Sequence, residues 1–328
     1  MNRFSAFRLF QGGERPVGRL VEMSADELSE GNVLIKTGFA SVNYKDALAA
    51  HGINKIIRSF PRIGGIDLAG WVVSSSDPRF KDGDEVIVHG FGTGIETDGG
   101  YAQYARVSAD WVLRLPAGLA LIDAASCGVA GYTAALAIHL MELNGLAPGA
   151  GKVLVNGATG GVASIAIDML AGRGYVVTAV TGKASERDYL LRLGATEVIE
   201  RSSLDLGKRP LEKPLWAGAL DSVGGEALAW LTRTMQADGL IAAFGNAGGM
   251  ELNTTVLPFI LRGVRLLGIN ANSPMALRKT IWNRIAGDLR PRHLDAIRNE
   301  IGLEGLQRAF ERLIQGSSRG RTVVKLQD

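Results

Sequence analysis

The chain has 328 residues, room for two domains at roughly 100–200 residues each and too much for one small binding module. Its 46% hydrophobic and 21% charged residues exclude a disordered chain, and 36 basic against 33 acidic side chains set up no strong field for a nucleic acid or other polyanion. A single cysteine, Cys127, excludes an internal disulfide and a multi-thiolate zinc site.

That cysteine usage fits a reducing compartment, and arginines interrupt the first ten residues before a signal-peptide core can form, so a cytoplasmic location is expected. Residues 1 to about 120 read as short strands and turns: Val33–Thr37, Gly70–Val73, and Glu85–His89 behind a Lys81-Asp82-Gly83-Asp84 turn. Ala124–Met141 carries no formal charge and reaches the length of about 18 residues needed to cross a membrane. Its Ala, Gly, Ser and Thr content, with His139 inside, reads instead as a buried helix.

From there helices and strands alternate. A helix near Ala124–Leu143 is followed by strand Lys152–Asn156, helix Gly160–Ala171, strand Tyr175–Thr181 and helix Ser185–Leu193. The second helix buries Val162, Ile165, Ala166, Met169 and Leu170 on one face; the third is expected to be capped by Ser185 with Asp188 and stopped at Gly194. Strands Ala219–Ser222, Gly239–Phe244 and Val264–Ile269 follow, then helices Ala276–Asp288, His293–Ile301 and Glu304–Gln315. A last strand, Thr322–Lys325, has no parallel partner in view and is expected to return to the N-terminal β domain. This rhythm predicts an α/β protein with a doubly wound parallel sheet behind a β-rich domain.

Val153-Leu154-Val155-Asn156-Gly157-Ala158-Thr159-Gly160-Gly161-Val162-Ala163 places a strand, a glycine turn and a helix start in immediate succession. A dinucleotide needs that order: a tight turn, no side chain where the pyrophosphate approaches, and free N–H groups at the helix start. The spacing departs from G-x-G-x-x-G, so the context carries the inference. Some twenty residues on, an NAD site would place an acid; this chain has Thr181-Gly182-Lys183, with Arg187 and Arg201 near in sequence. These cations would attract a 2′-phosphate, so NADPH is the expected coenzyme, the alternative for Lys183 being a solvated loop cation.

Other motifs are excluded. Gly316-Ser317-Ser318-Arg319-Gly320 matches a nucleophile elbow in spelling only, since a strand and the terminus follow it. The histidines His51, His89, His139 and His293 are scattered, so no metal site is expected. Gly182-Lys183 is followed by Ala184 and makes no P-loop, and no Tyr-x-x-x-Lys pair exists.

The glycine turn, together with Ser41-Val42-Asn43-Tyr44-Lys45-Asp46, Gly64-Gly65-Ile66-Asp67-Leu68-Ala69-Gly70, Gly99-Gly100-Tyr101-Ala102-Gln103-Tyr104, Gly128-Val129-Ala130-Gly131-Tyr132-Thr133-Ala134 and Gly320-Arg321-Thr322, resembles the zinc-independent quinone oxidoreductase branch of the medium-chain dehydrogenase/reductases, and within it the acryloyl-CoA reductase subgroup. The resemblance runs end to end. It implies a GroES-like catalytic domain over 1–122 and 272–328 and a Rossmann nucleotide-binding domain over 123–271. It further implies NADPH without a metal and reduction of an activated carbon–carbon double bond, acryloyl-CoA to propionyl-CoA, in an interdomain cleft of a homodimer.

Carried over residue by residue, the resemblance assigns coenzyme contacts to Tyr44, Thr159, Gly160, Gly161, Val162, Thr181, Gly182, Lys183 and Arg201, with Asn246, Ile260 and Ala271 on the nicotinamide side. Ala163 and Lys183 replace the family's usual glycine and frequent arginine. Tyr44 is the candidate hydrogen-bond donor to a developing enolate, or a ring that only packs against the nicotinamide; Asn43 shares its loop and is the second catalytic candidate. Arg321 and Arg319 are candidates for the phosphates of coenzyme A, or ordinary surface arginines. Rival functions are a quinone or general enone reductase, a non-catalytic RNA-touching coenzyme binder, which a basic stripe with aromatics would be needed to support, and a methyltransferase.

Overall fold

Alternating apolar positions pull the first third of the chain into antiparallel sheets. In the computed structural model, which describes residues 3–327, the elements there are β1 (Phe4–Phe10), β2 (Val17–Met23), β3 (Val33–Val42), α1 (Tyr44–Ala50), β4 (Arg62–Ile63), β5 (Asp67–Ser75), β6 (Glu85–His89), β7 (Tyr104–Val107) and β8 (Val112–Arg114). The alternating half of the chain follows as α2 (Leu121–Leu143), β9 (Lys152–Asn156), α3 (Gly161–Gly172), β10 (Val176–Thr181), α4 (Arg187–Arg192), β11 (Glu197–Glu200), β12 (Trp216–Asp221), α5 (Gly225–Thr234), β13 (Met235–Ala243), α6 (Leu257–Arg262) and β14 (Arg265–Gly268). Last come α7 (Met275–Ala286), α8 (Leu294–Ile297), β15 (Arg298–Ile301), α9 (Leu306–Ile314) and β16 (Arg321–Lys325).

Two units result. The first holds residues up to Ala130, Asn272–Thr280 and Arg298 onward; the second holds Gly131–Ala271 and Ile281–Ile297. Where the sequence reading divides the chain at 122/123 and gives all of 272–328 to the first domain, the structure puts the division inside α2 and counts 281–297 with the second unit.

The first unit has one sheet ordered β2-β1-β4 and another ordered β15-β16-β3-β5-β6-β8, with β7 also on β3. Between strands the inward set Val33, Ile35, Leu68, Val72, Val86 and Val88 forms a continuous core. The C-terminal strand β16 returns here antiparallel to β3, with Val324 opposite Ala40. It also has a parallel partner that the sequence reading lacks: residues 298–301, expected to be helical, form β15, with Ile301 opposite Val324. Helix α8 ends after one turn because pairing with β16 satisfies the backbone that helix would otherwise use, a tertiary override of local propensity.

The second unit is a six-stranded parallel sheet ordered β11-β10-β9-β12-β13-β14. Sequence order reverses between β9 and β12, and ligands of such sheets bind at the carboxyl ends beside that reversal. Helix α3 buries Ala163, Ile165, Ala166, Met169 and Leu170, while Val162 in its first turn stays half-buried. Strand β11 and helices α1, α5 and α6 add to the elements expected from the sequence. Ser185 caps nothing: it lies within a 3-10 turn, Ala184–Glu186, ahead of α4. One described helix, α2, is long and apolar enough to cross a membrane, and most of it is buried.

Candidate active site

Within the second unit, the turn after β9 is set by Gly157 at φ +69°, where a Cβ would stand 2.3 Å from the Ser222 hydroxyl. Only glycine takes that conformation in that space. Gly160 caps α3 in an extended conformation, and a Cβ there would meet only the Gly157 carbonyl, at 3.2 Å. The side facing away from the protein is therefore open. Gly161, Val162 and Ala163 follow as the first turn, whose amides have no carbonyl to bond within the helix and point where an anion is favoured. Ala163 is fully buried, in keeping with a packing position that tolerates one methyl.

The carboxyl ends of β9 and β12 are locked to each other at the reversal. Asn156 donates its Nδ2 to Asp221 Oδ1 at 2.8 Å, Asp221 Oδ2 accepts the Gly224 N–H at 2.7 Å, and Ser222 Oγ donates to the Asn156 carbonyl at 2.9 Å. Burial raises the Asp221 pKa, opposed by these donors. Sequence reasoning passed over both residues, although an Asn and an Asp each closing an apolar strand were the available signal.

At the end of β10, Thr181 Oγ1 accepts the Lys183 N–H at 3.0 Å and shapes the turn. A cavity of about 180 Å3 opens beside it, lined by Thr181, Gly182, Ala184, Glu200, Arg201 and Ser202. The Arg201 guanidinium lies over Gly182, 2.9 Å from where a Cβ would be. So the turn, Thr181, Gly182, Lys183 and Arg201 sit on one sheet's carboxyl edge. Glu200 at the end of β11 adds an acid the sequence reading had not placed there. Asn246 is exposed in the loop after β13, Ile260 is 68% exposed on α6, and Ala271 is half-buried beyond β14.

In the first unit Tyr44 opens helix α1 and is 45% exposed. Below it lies a buried polar cluster. Asp67 Oδ1 accepts from the Ser41 amide at 2.9 Å and the Ser41 hydroxyl at 2.6 Å, while Oδ2 accepts from Asn43 Nδ2 and from the Val129 amide, each at 3.0 Å. Asp46 Oδ2 accepts the Asn43 N–H at 2.9 Å and Oδ1 the Ile66 N–H at 3.1 Å. Burial, and next the charge of Asp67, push the Asp46 carboxyl up to about 7. Gly128, at φ +46°, brings α2 against this cluster; a Cβ there would stand 2.4 Å from Asp67 Oδ2.

Two sequence assignments are corrected here. Arg321 is 3% exposed, and its guanidinium donates to the Ser126 carbonyl at 3.1 Å, the Val42 carbonyl at 3.0 Å, Asn43 Oδ1 at 3.1 Å and the Ser41 hydroxyl, with Asp67 3.9 Å away. A guanidinium so enclosed is an internal tie and not a grip on coenzyme A phosphates. Asn43, 8% exposed, spends its amide on Asp67, the Ser41 carbonyl and Arg321, so it supports the loop and does not face substrate. Arg319 is half-buried in the turn before β16, where its carbonyl accepts from Asn299 Nδ2.

Among the described residues no three His, Cys, Asp or Glu side chains converge as a metal site, and Cys127 is buried. The donors needed to hold zinc are not assembled here.

Residues 29–117 match the alcohol dehydrogenase GroES-like domain and residues 161–286 the zinc-binding dehydrogenase domain. The chain is 47% identical over 307 residues to the putative quinone oxidoreductase YhfP of Bacillus subtilis, covering 93% of each protein. It is 44% identical over 305 residues to the acrylyl-CoA reductase AcuI of Ruegeria pomeroyi, covering 92% of each. Among solved structures, the yhdH oxidoreductase of Salmonella enterica in complex with NADP superposes with a TM-score of 0.95 at 42% identity, over 98% of this chain and 100% of that one. B. subtilis yhfP with NAD bound gives 0.96 at 45% identity, over 99% and 100%.

Proposed function

The chain belongs to the medium-chain dehydrogenase/reductase family, with AcuI and YhfP as relatives over nearly its whole length, and from that premise we propose that it is an NADPH-dependent reductase of an activated carbon–carbon double bond, acting on acryloyl-CoA to give propionyl-CoA. The observation that carries the coenzyme reading is the cavity at the end of β10, where Arg201 lies over Gly182 beside the open first turn of α3. The Arg201 guanidinium is the group there that would take a 2′-phosphate, with Glu200 as the one acid on the lining. The 44% identity to an acrylyl-CoA reductase carries the substrate class.

Bound NADPH supplies a hydride for the β-carbon of the enoyl thioester, and a proton from solvent or the site completes the α-carbon. The chain's part is to hold and to shield. The amides opening α3 take the pyrophosphate, Arg201 and Lys183 neutralise the 2′-phosphate, and Asn246, Ile260 and Ala271 are assigned to the nicotinamide side. Tyr44 donates its phenol hydrogen to the thioester oxygen as negative charge builds there. Arg319 is kept as a contact of the coenzyme A moiety.

We assign the enzyme to the cytoplasm, in keeping with its single cysteine, which is free and buried. A homodimer is supported by the edge strand β14 and by Val256 and Leu261, each more than 60% exposed in the segment before it. Sedimentation giving a monomer at micromolar concentration would remove that assignment. A second reading, NADPH quinone reductase, is favoured by the 47% identity to YhfP. Spectrophotometric NADPH oxidation against acryloyl-CoA, crotonyl-CoA and simple quinones decides: kcat/KM highest for acryloyl-CoA is expected, and turnover of quinones alone would overturn the acyl-CoA assignment.

A further inference from the structure

We propose that Asp46 is the positioning residue for Tyr44, its buried carboxylate tying down the helical turn on which that phenol stands; the inference rests on the reading of Tyr44 as the hydrogen-bond donor.

Helix α1 has only seven residues, too few to hold its own geometry in water. Something else must fix where Tyr44 points. Asp46 is 4% exposed and sits two residues past Tyr44. Its Oδ2 accepts the N–H of Asn43, the residue before Tyr44, so that one bond closes a loop around the tyrosine. Its Oδ1 accepts the N–H of Ile66, which leads into β5. One carboxylate thus fastens the first turn of α1 to itself and to the neighbouring strand. Arg321 and Asp67 hold the Asn43 side chain from the other side.

Each oxygen of Asp46 is needed as an acceptor, and a protonated carboxyl loses one of them. The groups facing Asp46 are Asp67 on β5, Tyr101 ahead of β7 and Arg321 on β16. Helix α9 meets the other face of α1 with apolar Leu306 and Phe310. Burial and the Asp67 charge together bring the Asp46 proton into the neutral range, at about 7. The direction follows: above that pH both amide bonds are kept and Tyr44 is held, whereas below it one is given up and the turn loosens. Misplacing a catalytic group by an ångström costs on the order of 10²-fold in rate.

The test measures kcat for NADPH-dependent acryloyl-CoA reduction from pH 5.5 to 9 in the wild type, Tyr44→Phe, Asp46→Asn and the double variant, with a circular dichroism melt as the check on folding. The wild type should lose rate below about pH 7. Tyr44→Phe should be slower by about 10²-fold and should lack that limb, because Asp46 acts only through the phenol. Asp46→Asn should be slow and flat, and the double variant no slower than the slower single. Should Asp46→Asn fail to fold, the profile of Tyr44→Phe decides alone, since Tyr44 is 45% exposed and phenylalanine keeps its ring. A limb that persists in Tyr44→Phe, or rate losses that multiply in the double variant, would overturn the positioning role. Full kcat in Tyr44→Phe would overturn the donor reading itself, and the inference with it.

Discussion

Replacing Arg321 by Met separates a structural tie from a ligand contact. The guanidinium serves four oxygen acceptors and lies 3.9 Å from Asp67, with both side chains under 5% exposed. Removing one partner of a buried pair leaves the other charge uncompensated and costs about 3–5 kcal/mol. At roughly 2–4 °C per kcal/mol for a folding unit of about 150–250 residues, the range of the first unit, its melting temperature should fall by about 6–20 °C. Calorimetry or a circular dichroism melt reads that shift. NADPH affinity, measured below the melt, should change little, because every assigned coenzyme contact except Tyr44 lies in the other unit. Adding Asp67→Asn removes the stranded carboxylate, so the double variant should be less destabilised than the sum by about 1–3 kcal/mol. A melt within 2 °C of wild type, joined to a raised KM for acryloyl-CoA, would refute the buried-tie argument and return Arg321 to the substrate.

Two further outcomes follow from the same geometry. Arg201→Ala should lower the NADPH-to-NADH ratio of kcat/KM by about 10- to 100-fold, the loss of one charge-assisted contact worth roughly 1.5–3 kcal/mol; an unchanged ratio would empty the cavity at the end of β10 of its assigned phosphate. Gly128→Ala should destabilise by about 1–3 kcal/mol from the positive φ alone, with more from a methyl 2.4 Å from Asp67 Oδ2. Urea unfolding measures it, and a neutral result would show that α2 relaxes away from Asp67 at no cost.

The parallel sheet was legible because its signals are local. A strand, a glycine turn and a helix start within eleven residues, Val153 to Ala163, report their own geometry, and the structure has Gly157 in the turn, Gly160 capping α3 and Ala163 buried in its first turn. Helix α5 was legible too and was passed over: Leu228, Trp230 and Leu231 behind Gly224-Gly225 carry a buried helical face. Residues 298–301 were not legible as a strand. Nothing local marks Arg298-Asn299-Glu300-Ile301, whose pairing partner β16 begins twenty positions on.

The buried cluster was illegible for a stronger reason. The acceptors of Arg321 lie 195 to 280 positions away in the chain, so a sequence shows only an arginine near a terminus, where a solvated side chain is the usual outcome. Asp46 has the same difficulty at shorter range: beside Lys45 it looks like half of a surface pair, yet α1 turns Lys45 outward and Asp46 inward. Once both are placed, their difference has a cause. Asp67 has a guanidinium and four donors to offset its burial. Asp46 has two amides and the Tyr101 phenol, no ion-paired guanidinium of its own, and the charge of Asp67 opposes its ionisation. The two carboxylates therefore do different work on one loop, the first as a fixed anchor for Ser41 and Asn43, the second as the anchor whose hold on Tyr44 changes with pH.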